Sequence, residues 1–339
     1  MSAIATRQRR RAALLLGLSL ALLVPPAGSA ADDATAKRAA LGRALFFDAS
    51  LSSDGNVSCA TCHNPAMGYA NDHPTSVGTN AKIGTRNAPS LIGVGNEGSF
   101  FWDGRRTRLE DAVTDAFTNP VELGLASTEN LLARVSRNET LVDRFHDAFN
   151  TTDRAPRLEQ VRIALATFVR SLSIASAPLV MPGALPADVS LGKHLFNGVA
   201  GCAECHASKT EPDYFSDGAY HHSGVSPPSL MGDLPELARD VIKQSLDADA
   251  IGPKVLTDVR WSSLGRFVVT QRLADIGAYR TPSLRNVAFT APYMHDGSVA
   301  TLYEAVDREL SYRSITRGRP INLSLPERKA LVAYLQTLR

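Results

Sequence analysis

The sequence predicts a mostly helical protein built as two similar halves. Three observations predict it. Apolar residues recur at helical spacing in five segments, one six-residue pattern occurs twice, and strand-like alternation is scarce. A length of 339 residues allows two domains of ordinary size, each able to bury a core. Hydrophobic residues at 44% and charged residues at 21% exclude disordered and fibrous classes.

The chain opens like an export signal. Four arginines (Arg7, Arg9, Arg10, Arg11) precede an apolar run from Ala12 to Val24, then Pro25-Pro26 and small residues to Ala30 or Ala31. That run is shorter than the roughly 20 residues that span a bilayer. Residues 1–30 are therefore expected to be removed on export, and no later segment is apolar enough to span. Removal leaves 32 basic residues against 34 acidic, a net charge of −2. Such a balance gives no case for nucleic acid as a partner.

The repeated pattern is L-G-x-x-L-F, at Leu41 to Phe46 and again at Leu191 to Phe196. It suits a short helix on the edge of a shared feature. Helices are expected over 129–138, 141–149, 158–171, 301–313 and 326–338. Residues 64–101 and 207–232 read as irregular chain, and 267–270 as at most a short ribbon. Pro178, Pro182 and Pro186 mark 173–188 as a linker, because proline blocks helix and lacks a ladder donor. The expected domains are 32–175 and 190–339.

All four cysteines fall in two copies of one motif, each following a copy of the repeat. Cys59-Ala60-Thr61-Cys62-His63 is the first and Cys202-Ala203-Glu204-Cys205-His206 the second. C-x-x-C-H is the attachment signature of c-type haem. Two thiols at that spacing can bond the two vinyl groups of one porphyrin, and the next residue presents an imidazole to its iron. Disulfides would not require a histidine after each pair. A four-cysteine zinc site would join knuckles 143 residues apart and leave both histidines idle. Two covalent haems, one in each of two cytochrome-c-like helical domains, follow.

With two haems in place, the chain resembles the bacterial di-haem cytochrome c peroxidases, within the branch that includes MauG. The resemblance is carried by Arg86-Asn87-Ala88-Pro89-Ser90-Leu91, Phe101-Trp102-Asp103-Gly104-Arg105, Asn119-Pro120-Val121-Glu122, Thr281-Pro282-Ser283-Leu284-Arg285-Asn286-Val287 and Thr290-Ala291-Pro292-Tyr293-Met294-His295-Asp296-Gly297-Ser298. It implies a periplasmic enzyme of a Gram-negative bacterium, with hydrogen peroxide as oxidant. The N-terminal haem, on Cys59, Cys62 and His63, would meet peroxide. The C-terminal haem, on Cys202, Cys205 and His206, would exchange electrons.

The resemblance also assigns single residues. Glu122, twenty residues beyond Trp102, matches the acid–base glutamate, and Trp102 the tryptophan between the haems. A glutamine is common ten residues after the tryptophan, where this chain has Ala112. The Asn87 side chain and the carbonyls of Thr290 and Pro292 match ligands of an interface Ca²⁺. The typical capping histidine, sixteen residues after the proximal one, is replaced by Thr79, so the first iron is expected to be open. His73, in a neighbouring loop, could substitute only if that loop rearranged. Arg105 or Arg106 could lie near haem propionates.

For the second iron, the sixth ligand in the family lies fourteen residues after His295, as methionine or tyrosine. Here that residue is Glu309, with Tyr312 one helical turn on. Tyr312 is the expected ligand, Glu309 the alternative, and an open iron the third. Trp261 has no assignable role. These departures imply MauG-like oxidation of a partner-protein side chain through a high-valent di-haem state. Tryptophan is a candidate, as in the di-haem enzymes of methanobactin-type copper clusters. The alternatives are a peroxidase fed by a small cytochrome or cupredoxin, and a non-catalytic electron-transfer protein.

Overall fold

The structure is a computed structural model that describes residues 30–153, 155–172, 186–207, 214–225 and 232–339. The expected signal, and most of the expected linker, lie outside these residues. The first half comprises α1 (Ala30–Phe47), the single turn α2 (Cys59–Cys62), α3 (Leu109–Thr118), α4 (Thr128–Arg137), α5 (Glu139–Phe149) and α6 (Leu158–Ser171). The second begins with α7 (Ala187–Asn197), the turn α8 (Ala203–His206) and strand β1 (Tyr220–His222). It continues through α9 (Leu234–Gln244), α10 (Ala248–Thr257), α11 (Val259–Ser263), α12 (Phe267–Thr270), β2 (Ala278–Arg280), α13 (Leu302–Thr316) and α14 (Leu325–Leu335). No helix among the described residues is long and apolar enough to cross a membrane.

Local chemistry explains the helix ends. Asn138 accepts a hydrogen bond from the Leu141 amide at 3.2 Å and starts α5. Reciprocal capping boxes start α13 (Thr301 with Glu304) and α14 (Ser324 with Glu327). Between Asn64 and Phe101 the chain has isolated 3₁₀ turns and isolated antiparallel bridges but no longer element, as its glycines, prolines and asparagines predict.

The repeated hexapeptide has the same packing job in each half. A Cβ on Gly42 of α1 would lie 2.0 Å from the Ala164 carbonyl oxygen of α6. One on Gly192 of α7 would lie 2.0 Å from the Ala330 carbonyl oxygen of α14. Glycine thus lets each helix press on the backbone of a later one. The flanking Leu41, Leu45 and Phe46, and Leu195 and Phe196, are buried in two separate cores. The first core draws on residues 41–168 and the second on 189–338.

A third core was not foreseen. Helices α9 to α12 bury Leu237, Val241, Val255, Trp261, Leu264 and Phe267 against one another and against Val121 of the first half. Trp261 is therefore a core residue. Residues 267–270 are a helical turn, not a ribbon: Phe267 and Val268 point into this core and Gln271 ends the turn in the left-handed region. The ribbon instead pairs β1 with β2, antiparallel, with His221 opposite Tyr279. It ties the chain after the second Cys-x-x-Cys-His motif to the segment that leads into Thr281-Pro282-Ser283.

Candidate functional site

Two cavities stand at the two motifs. The first, of about 1340 Å³ with its mouth, is bordered by Cys59, Cys62 and His63 and by Trp102, Arg105 and Glu122. The second, of about 1450 Å³ with its mouth, is bordered by Cys202, Cys205 and His206 and by Trp102, Glu309 and Arg313. Asn87, Pro89, Ser90, Trp102 and Arg280 border both. The cysteine pairs open into different cavities, so a shared four-cysteine zinc site is excluded. All four thiols are free.

Each proximal histidine is held alike. His63 Nδ1–H donates to the Tyr69 carbonyl at 3.0 Å and His206 Nδ1–H to the Phe215 carbonyl at 2.9 Å. A carbonyl only accepts, so these bonds fix the tautomer and leave Nε2 with its lone pair for a metal. Burial keeps both rings neutral, pushing His206 down to about 4 and lowering His63. Paired thiols, a neutral imidazole and mostly apolar walls fit a covalent haem in each cavity.

The first cavity contains one carboxyl group suited to proton transfer. Burial pushes Glu122 up to about 7, against the pull of the Arg105 guanidinium. Its backbone is pinned on both sides. The Glu122 amide donates to the Asn119 carbonyl at 3.1 Å, and the Thr79 amide donates to the Glu122 carbonyl at 2.8 Å. Thr79 is buried outside the cavity wall, so at the capping-histidine position it steadies Glu122 and reaches no iron site. His73 is exposed beside Asp72 and also stands outside the wall. Ala112 borders the cavity where a glutamine was possible. Arg105 borders it too, bound to Asp103 at 3.1 Å, whereas Arg106 is committed to Asp115 at 2.7 Å.

The second cavity departs from expectation. Glu309 borders it, and Tyr312 does not. The residues of α13 on the wall are Leu302, Ala305, Val306, Glu309, Leu310 and Arg313, one stripe at helical spacing. At 3.6 residues per turn, a step of three rotates Tyr312 about 60° back from Glu309, off the stripe. Its ring packs over Gly224 instead, where an added Cβ would meet the ring at 2.4 Å. Burial raises the Glu309 carboxyl and the Arg313 guanidinium pulls it down.

Asn87, Thr290 and Pro292 all border the second cavity. The Asn87 amide nitrogen donates to the carbonyls of His73 and Pro74 at 3.1 and 3.2 Å. That leaves its oxygen as the atom for a cation, in keeping with Ca²⁺ chemistry. Arg280, Glu97, Tyr214 and Tyr279 are site neighbours that were not singled out in the sequence, whereas His295 marks the family's ligand spacing. Arg280 is ion-paired with buried Glu97, which also accepts from the Tyr214 hydroxyl. His295 stacks on Tyr279 at 3.8 Å, and its Nδ1 has no hydrogen-bond partner. Cys205, Asp217 and His221 bring ligand atoms within 4.8 Å of one another, but haem attachment at Cys205 would consume that thiol.

The family model of the di-haem cytochrome c peroxidases matches residues 36–179. The methylamine utilization protein MauG of Methylorubrum extorquens is 31% identical over 323 residues, covering 91% of this chain and 80% of that protein. The chain belongs to the di-haem cytochrome c peroxidase and MauG family. A cytochrome-c peroxidase of Denitromonas iodatirespirans (IdrP2) is 32% identical, covering 88% of this chain and 80% of that one. A solved MauG-like protein associated with microbial copper homeostasis superposes with a TM-score of 0.71 at 26% identity, over 96% of this chain and 95% of that one. As a member of this family, the protein is a di-haem, peroxide-using oxidoreductase with two c-type haems, built on two cytochrome-c-like helical domains.

Proposed function

We propose that this di-haem enzyme is exported to the periplasm and uses hydrogen peroxide to oxidise a side chain of a partner protein, with tryptophan the first candidate. The observation that carries this reading is the first cavity wall. It presents Glu122 but neither Thr79 nor His73, so no side chain at the expected capping positions closes it. A typical cytochrome-fed peroxidase keeps such a cap until an electron arrives. The second cavity likewise offers no methionine on α13 for a high-potential electron entry.

In this reading Cys59, Cys62 and His63 hold the first haem, and Cys202, Cys205 and His206 the second. A bound haem supplies iron that accepts peroxide and stores its oxidising equivalents. Glu122 takes the proton of the inner peroxide oxygen and delivers it to the outer one, so that water can leave. Its pKa near neutrality suits both halves of that transfer. Arg105 keeps a positive charge beside it. Trp102 borders both cavities and is placed to pass an electron between them. Asn87, Thr290 and Pro292 hold Ca²⁺ at the junction of the halves.

The test is to give the holoprotein peroxide together with either a genomically neighbouring protein or reduced cytochrome c. Mass spectrometry showing a modified side chain on the neighbour supports the proposal. Rapid turnover of reduced cytochrome with no modified protein favours the peroxidase alternative, and peroxide unreactive with either haem favours simple electron transfer.

A further inference from the structure

The stripe of α13 that borders the second cavity has four apolar members and one polar pair. Glu309 Oε2 and Arg313 Nε lie 3.6 Å apart, one turn along the helix. Arg313 also donates to Cys205 Sγ at 3.5 Å, which brings the pair to the edge of the second attachment motif. A carboxylate this close to a guanidinium has its charge partly offset, and is a weaker metal donor than a free one. Three other candidate ligands on the wall are engaged, whereas His222, Met294 and His295 also border it and His295 Nδ1 has no hydrogen-bond partner. The Tyr293 hydroxyl donates to the Val287 carbonyl at 2.8 Å, the Tyr279 hydroxyl to the Ser262 carbonyl at 3.2 Å, and His221 Nε2 to Asp217 at 2.9 Å.

The first cavity also has a carboxyl group and a guanidinium on its wall, Glu122 and Arg105, with that guanidinium bound to Asp103. We propose that the second cavity is also an open small-molecule site, which holds water at rest and admits a peroxide-sized ligand, with Glu309 and Arg313 as hydrogen-bonding partners. The proposal rests on the reading that each cavity takes a haem. It differs from the expected Tyr312 ligand, and from Glu309 as a ligand, because it leaves the second iron without a protein atom on that side. A neutral or anionic oxygen ligand would find a donor in Arg313 and an acceptor in Glu309.

Azide titration of the ferric holoprotein tests it, with a pyridine haemochrome count on the same sample. Two haems and two azides bound per chain, with both high-spin electron paramagnetic resonance signals lost, is the expected result. Two haems but one azide overturns the inference while leaving the two-haem reading intact. One haem per chain overturns both. In ¹⁷O-labelled water the second haem's resting signal should broaden; an unbroadened signal means that no water is bound there, either because a protein atom of Glu309, His222, Met294 or His295 holds the position or because it is empty, and ends the proposal. Arg313→Met should weaken one of the two azide affinities by about tenfold or more, the weight of one charge-assisted hydrogen bond. If neither affinity moves, the pair does not serve the site and the proposal fails.

Discussion

The Trp102 indole N–H donates to the Asn87 carbonyl at 2.8 Å, and both residues border both cavities. The bond fixes the ring in the partition through a neighbour whose side chain is the expected cation ligand. The Arg280 amide adds a second anchor, donating to the Trp102 carbonyl at 2.9 Å. Trp102→Phe keeps a ring in the partition but removes the indole. It should leave peroxide binding at the first haem intact and slow partner oxidation at least tenfold. Stopped-flow spectra read the first quantity and partner mass spectrometry the second. Equal loss of both would mean that the ring serves packing only.

Glu122→Gln retains the shape of the side chain and removes its acid–base chemistry. The peroxide reaction should slow by about 10²–10⁴-fold. In the unaltered protein the rate should rise with pH through about 7, because the deprotonated carboxylate accepts the first proton. The variant should lose that step. A flat profile in the parent protein would remove Glu122 from the role.

Asn87→Ala takes away the one side-chain oxygen of the expected calcium site. Bound calcium, measured by elemental analysis of the dialysed protein, should fall from about one per chain to near zero. Chelation of the parent should give the same change in haem spectra. Calcium retained in the variant would place the ion elsewhere.

Gly42→Ala and Gly192→Ala test the duplicated packing. Each added methyl meets a facing carbonyl oxygen at 2.0 Å, so the helices must separate. Overpacking of this kind costs about 1–3 kcal/mol. Thermal unfolding should show a lower midpoint for each variant. An unchanged midpoint in both would mean that α1 on α6, and α7 on α14, tolerate separation.

Haem count gives the plainest check on the motifs. A pyridine haemochrome assay should return about two haems per chain, and about one after Cys202→Ala with Cys205→Ala. A parent value near one would show that the second motif is not an attachment site.

The sequence by itself determined the features that depend on neighbours along the chain. The spacing of cysteines and histidine within one turn and the helical periodicity of 158–171 both operate over a few residues. Glu122 and Trp102 were legible only through resemblance, since a loop glutamate and a lone tryptophan have no local signature. Tertiary structure alone decided the rest. Whether Tyr312 or Glu309 faces the second cavity depends on how α13 is rotated against it, and about 60° of rotation separates the two. Whether Thr79 reaches the first cavity depends on the Asn119–Gly124 turn, which claims its amide through Glu122. Trp261 and Phe267 acquired their place from a third core that joins α9 to α12 with Val121, more than a hundred residues earlier. Contacts over that separation leave no period in the sequence, because the chain between them sets no spacing that either end must obey.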